Sequence, residues 1–187
     1  MAAGQVRGSG ELDTFQDARL ALYLVRLLSI LEQSRPTTPG LDELIREEQR
    51  RNTLSDGRLV SQVVFLQFAY MTLVRLNERY FKDNAKCLDQ RLGPYVPKVI
   101  ILEQHNRTSQ PSATELARWL RNAFSHDHVQ WREEKFWLRD ENKRPKDSDK
   151  WSWVEFEIDW PVLGQICEAV VFAGNDLLYP RWDAATP

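Results

Sequence analysis

The chain is poor in the residues that would make several functions easy to read. Only two cysteines occur in 187 positions, Cys87 and Cys167. They are too far apart for a paired-thiolate zinc site or a Cys-x-x-Cys redox motif, and both are expected to be small core residues. Net charge is nearly absent, formally −2 at pH 7, so the molecule as a whole does not attract a polyanion; any nucleic-acid contact requires a local basic patch. No uninterrupted apolar run is long enough for a membrane span. The most apolar stretch, "LVSQVVFLQFAYMTLVRL", is broken by Gln62 and Gln67 and reads as a buried bundle helix. The opening "MAAGQVRGSG" lacks an apolar signal core and is expected to be a disordered tail, with a cytoplasmic location for the protein. Histidine is scarce too, with three residues in all.

What is present is a run of helical periods followed by a change to alternation. Leu20, Tyr23, Leu24, Leu27, Leu28 and Leu31 recur at helical spacing within "ELDTFQDARLALYLVRLLSILEQS", and Pro36 with Gly40 ends the pattern. A short charged helix, "LDELIREEQRRN", follows. After Ser55, Asp56 and Gly57 a second long helix runs to about Tyr80. Its stripe of Val60, Val63, Val64, Gln67, Tyr70, Met71 and Val74 is flanked by Phe65, Phe68 and Leu73, as expected of a central bundle helix. The segment from Cys87 to Pro111 is broken at Gly93, Pro94 and Pro97, and its short apolar run Val99–Leu102 fits no period. "SATE", Ser112 to Glu115, is a Ser-x-x-Glu capping box that opens a further helix. Beyond His126 the period becomes two: "HVQW", "KFWLR" and "WSWVEFEI" read as strands, with Glu133-Glu134 as the first turn and "DENKRPKDSD" as a long polar loop. Asp159 and Pro161 start a last helix, with Leu163, Ile166, Cys167, Val170 and Val171 on its core face.

The expected fold class is therefore mainly α: an up-and-down helical bundle with a small antiparallel β insertion at about residues 128–158. One domain spans 11–178, between tails at 1–10 and 179–187.

Chemistry concentrates in "RNAFSH", residues 121–126, at the end of the capped helix. Leu116, Trp119, Leu120, Ala123 and Phe124 fill one arc of that helix and must face the core. Arg118, Arg121, Asn122, Ser125 and His126 fill the opposite arc. Asn122 and His126, four apart, are neighbours. Arg121 lies about 140° from His126 around the helix, so spacing alone does not bring those two together. Either the long arginine side chain curls round the helix end, or a second subunit completes the site. A histidine can serve as base or acid near neutrality, and a guanidinium forks onto phosphate oxygens and stabilises charge building there. With asparagine to orient a hydroxyl or the imidazole, the set suits attack of a ribose 2′-hydroxyl on its own phosphodiester, with no cofactor and no metal. By composition, about 0.3 Arg–His pairs five apart arise by chance, falling to about 0.01 when Asn must follow the Arg. The competing reading is a helix C-terminus decorated with cations that meet its dipole and free carbonyls.

"LARWLRNAFSH" late in a mostly helical chain resembles the signature of the HEPN superfamily: Arg, a polar residue that is often Asn, three or more further residues, then His. Short aromatic-rich strands followed by a helix near "DWPVLGQI" resemble a plasmid-borne subgroup with a β-hairpin insertion. The sharp motif covers residues 121–126 alone, whereas the layout covers about 11–178. The resemblance implies a metal-independent endoribonuclease acting as a homodimer, often in toxin–antitoxin or anti-phage systems with an antitoxin or defence partner. It places the catalytic roles on Arg121, Asn122 and His126. Arg118, Ser125 and His128 are expected to bind substrate RNA around them. HEPN toxins silenced by nucleotide transfer carry Tyr two residues after the His; His128 stands here, so that partner enzyme is not implied. Some HEPN domains bind RNA or protein partners without cutting, and an inactive interaction module is the alternative reading. A metal hydrolase built on His105, His126, Asp127 and His128 finds no carboxylate at matching helical spacing. The tryptophans are expected to pack the sheet onto the bundle rather than to stack RNA bases.

Overall fold

A computed structural model describes residues 9–52, 62–81, 86–142 and 149–178. The helices are α1 (Ser9–Ser34), α2 (Leu41–Arg51), α3 (Gln62–Tyr70), α4 (Lys86–Leu92), α5 (Ala113–Ser125) and α6 (Trp160–Leu178). The strands are β1 (Ile100–His105), β2 (Val129–Arg132), β3 (Lys135–Glu141) and β4 (Trp153–Asp159). The chain is mostly helical with one antiparallel sheet, in the strand order β1-β4-β3-β2. Among the described residues no helix is long and apolar enough to cross a membrane. The expected breaks at Ser55, Asp56 and Gly57, the middle of the polar loop (143–148), and most of both tails lie outside the described residues.

Two helices bury different faces from those their leucine and valine periods indicate. In α1 the buried residues are Phe15, Ala18 and Leu22, while Leu20, Tyr23, Leu24, Leu27 and Ile30 are exposed. Apolar residues occupy two sides of this helix, and periodicity alone cannot choose between them. In α3, Val63, Gln67 and Tyr70 of the expected stripe face outward, while its expected flank, Phe65 and Phe68, is buried together with Ala69, and Leu73 and Val74 are buried beyond it. At Met71 α3 passes into a π-helical segment, Met71–Phe81. Its wider turn, closed by i→i+5 hydrogen bonds, shifts the buried face relative to a 3.6-residue repeat. Thr72-Leu73-Val74, Leu76-Asn77 and Tyr80-Phe81 then turn inward as successive groups.

The sheet is where alternation holds. In β3 and β4 every second residue is buried: Phe136, Leu138 and Asp140 on one strand, Val154, Phe156 and Ile158 on the other. This face packs on the bundle, with Trp119 of α5 5.8 Å from Phe156 between ring centroids. Phe65 stacks on Phe136 at 5.5 Å and on Trp160 at 4.8 Å, and Trp131 meets Phe136 and Trp160 edge-on at 4.7 and 4.8 Å. Trp131 and Trp160 thus join strand, helix and sheet as packing residues. On the outer face, Arg132 lies over Trp137 and Arg139 over Trp153.

Two expectations are corrected here. The sheet is not confined to 128–158, because the unassigned run near Val99 supplies β1, which pairs with β4 through a register shift between Ile101 and Glu103. As an edge strand that is largely exposed, β1 owes its form to ladder hydrogen bonds rather than to a buried face, so it carries no apolar alternation. Asp140 and Glu141, read as the start of a polar loop, are the last residues of β3.

Candidate functional site

Both ends of α5 are built by local hydrogen bonds. At the start, the Ser112 hydroxyl accepts from the Glu115 amide at 3.2 Å, and the Glu115 carboxylate accepts from the Ser112 amide at 3.0 Å. The capping box read from "SATE" is formed, and satisfies donors that the first turn leaves without partners. At the other end the His126 amide donates to the Asn122 carbonyl at 3.0 Å and the His128 amide to the Ala123 carbonyl at 2.9 Å. Between them Asp127 adopts φ +56°. This is a Schellman closure, with an aspartate in the left-handed position that glycine usually takes. Leu116, Trp119, Leu120, Ala123 and Phe124 are buried as expected, which anchors the helix and fixes the direction of its polar arc.

On that arc Arg121, Asn122, Ser125 and His126 line one cleft of about 450 Å³, together with Glu78 from the π-helical segment. A single chain therefore brings Arg121 and His126 to a common space despite their angular separation. The arginine does curl, and its guanidinium is held by its neighbour. Arg121 Nε and Nη2 both donate to Asn122 Oδ1, at 3.1 and 2.7 Å. Asn122 Nδ2 in turn donates to Asp140 Oδ1 at 2.9 Å, and Asp140 Oδ2 accepts from Arg107 Nη2 at 3.2 Å. Asp140 is fully buried. Asn122 thus holds the guanidinium and not the imidazole; its link to His126 is through the backbone carbonyl.

No family model, curated protein or solved structure matches this chain.

The remaining expected residues are distributed around the cleft. Ser125 and His126 are exposed, so the imidazole is open to a proton-bearing ligand, and its ring lies 6.1 Å from that of half-buried His128. Arg118, one turn earlier on α5, is exposed outside the cleft lining. His105 sits at the end of β1 against Trp151, and among the described residues no group of three His, Cys, Asp or Glu is arranged to hold a metal ion. Burial pushes the Cys167 thiol up to about 12, which makes it an inert core residue. Cys87 is half-buried and free.

Three residues of this arrangement were not singled out from the sequence: Glu78, Arg107 and Asp140. Glu78 and Arg107 stand in stretches whose polar residues carry no spacing signal. Asp140 does leave a trace. Continuing the alternation of Phe136 and Leu138 by two residues places an acid where an apolar side chain belongs.

Glu78 also borders a second groove of about 400 Å³, lined by Thr14, Arg75 and Arg79. Glu78 is thus common to both depressions, and the second one carries two arginines.

Proposed function

We propose that this cleft is the active site of a metal-independent endoribonuclease of the HEPN type. The observation that carries the reading is the convergence of an oriented guanidinium and an open imidazole in one cleft large enough for a nucleotide phosphate. In the reaction, His126 takes the proton from a ribose 2′-hydroxyl. The 2′-oxygen bonds to the adjacent phosphorus, the bond from phosphorus to the 5′-oxygen breaks, and the 5′-oxygen takes up a proton. The products are a 2′,3′-cyclic phosphate and a 5′-hydroxyl. Arg121 meets the negative charge that builds on the phosphoryl oxygens, and does so without reorganising because Asn122 already holds it. The proton taken up by the departing 5′-oxygen comes from solvent, which reaches the exposed end of α5 at Ser125 and His126. Ser125 in the cleft lining, with Arg118 one turn earlier on α5 and His128 beside His126, supplies further contacts for the RNA.

The same reading includes a homodimer, and a role as a toxin or defence component restrained by a partner protein. The exposed apolar row of α1, Leu20, Tyr23, Leu24, Leu27 and Ile30, supports self-association, since apolar residues grouped on one helix face favour a protein contact.

The decisive experiment incubates purified protein with a defined RNA, with and without EDTA, beside His126→Ala and a substrate carrying one 2′-deoxy position. Cleavage should survive EDTA, stop at the 2′-deoxy position, leave a cyclic phosphate, and be lost in His126→Ala. RNA retained but not cut by the parent protein would favour the binding-module reading. Cleavage by His126→Ala at the parent rate would overturn the mechanism.

A further inference from the structure

Strand β3 carries a carboxylate where its pattern calls for a hydrocarbon. Asp140 follows Phe136 and Leu138 on the buried face and is itself fully buried. Transfer of an ionised carboxylate from water into such a place is unfavourable unless it is paired and hydrogen-bonded. Replacing a buried ion pair by apolar residues is often neutral or stabilising, so stability gives little reason for the pair to exist. Its partner is not ideally satisfied either, because Arg107 Nε is buried without a hydrogen-bond partner among the described residues. What Asp140 does accomplish is to decide which way Asn122 faces.

A primary amide can be turned end for end with little change in shape. With Asn122 as observed, its NH2 group meets the Asp140 oxygen and its carbonyl oxygen receives both donors of Arg121. Turned over, it would set oxygen against carboxylate and NH2 against guanidinium. Two attractive contacts would become two repulsive ones. Arg107, whose side chain is about 15% exposed, donates from Nη2 to Asp140 Oδ2 and holds the carboxyl group in place from its other oxygen.

We propose that Asp140, anchored by Arg107, is a positioning residue that fixes the Asn122 amide and, through it, the guanidinium of Arg121. The use of that guanidinium in RNA cleavage rests on the function proposed above; its orientation does not. The β-sheet thereby becomes part of the site: β3 supplies the carboxylate that aims a side chain on α5, with the link between β1 and α5 supplying Arg107.

The test is a paired replacement, Arg107→Met with Asp140→Leu, which removes both buried charges and restores the apolar pattern of β3. It should fold, with a melting temperature near that of the parent. The Nε–H resonance of Arg121, followed by NMR, should shift and exchange faster with water as the Asn122 amide that accepts from it is no longer held in orientation. With RNA, kcat should fall by about 10-fold or more, as misplacement of a catalytic group does, while KM stays within about twofold. In an Arg121→Ala background the pair should cost nothing further, because its effect passes through Arg121. A purely structural pair would instead alter stability and leave the Arg121 resonance and the kcat of folded protein unchanged, and that result overturns the proposal. Should the paired replacement fail to fold, Asp140→Asn carries the same test: two donors then compete for one oxygen, and the Arg121 resonance must move. If the parent cleaves no RNA, the proposed function fails, whereas the resonance still decides the positioning role.

Discussion

Arg121 reaches the cleft as a fork, with Nε and Nη2 converging on a single oxygen. A lysine there has one ammonium on a flexible stem and cannot reproduce that planar pairing. Arg121→Ala is expected to lower the cleavage rate on the order of 10²-fold or more, the usual cost of losing a charge stabiliser. Arg121→Lys should recover little of it in the same single-turnover assay. Asn122→Ala should fall between the parent and Arg121→Ala, since the guanidinium remains but is no longer held. The residue-scale content of the site was legible where helical spacing applies: Arg121, Asn122, Ser125 and His126 share the polar arc and share the cleft. The sequence left open how Arg121 and His126 meet, because the curl of one side chain depends on its acceptor. That acceptor, Asn122 Oδ1, is oriented by Asp140, and no pattern along α5 contains information about β3.

At the scale of elements, α5 was the most legible because its signals are local. The capping box, the apolar arc and the stop near His126 each depend on residues within a few positions of one another, and each is formed. Strands β2 to β4 were legible for a related reason, since burial of one face writes a period of two into the sequence. The edge strand β1 and the π-helical segment were not. Both take their form from partners distant in the chain or from hydrogen-bond closure that the usual 3.6-residue repeat does not describe. The left-handed residue at the end of α5 allows a two-sided check. Such a conformation costs an L-residue about 1–2 kcal/mol, part of which glycine's greater unfolded entropy gives back. Asp127→Gly should therefore raise the melting temperature by roughly 2 °C. Asp127→Val, with a branched side chain at φ +56°, should lower it by a comparable amount or more. Calorimetry on the two variants separates these signs.

For the whole molecule, the long helices and the sheet share one buried cluster that runs from Phe15 through Leu76 and Trp119 to Phe156 and Val170. The residues left out of it are as informative. The apolar row on α1 was visible in the sequence, but the sequence does not say whether such a row faces its own core or another molecule. With that row exposed, a homodimer is expected at micromolar concentration, measured by sedimentation velocity. Leu24→Glu together with Leu27→Glu should shift the protein to monomer without loss of helix content. A parent that sediments only as monomer would remove the self-association part of the proposal.

The sheet order β1-β4-β3-β2 has a consequence for the protein as it is made. β1 precedes α5, yet its ladder partner β4 follows the whole β2–β3 hairpin. As the chain leaves the ribosome, α5 with Arg121, Asn122 and His126 emerges before Asp140, and β1 waits unpaired until residues 153–159 arrive. α5 can form early from its own caps, but the carboxylate that aims its arginine is synthesised later and is braced by the last strand. A nascent chain therefore carries the residues of the cleft well before it carries their alignment, and the cleft is set only once β4 has been made.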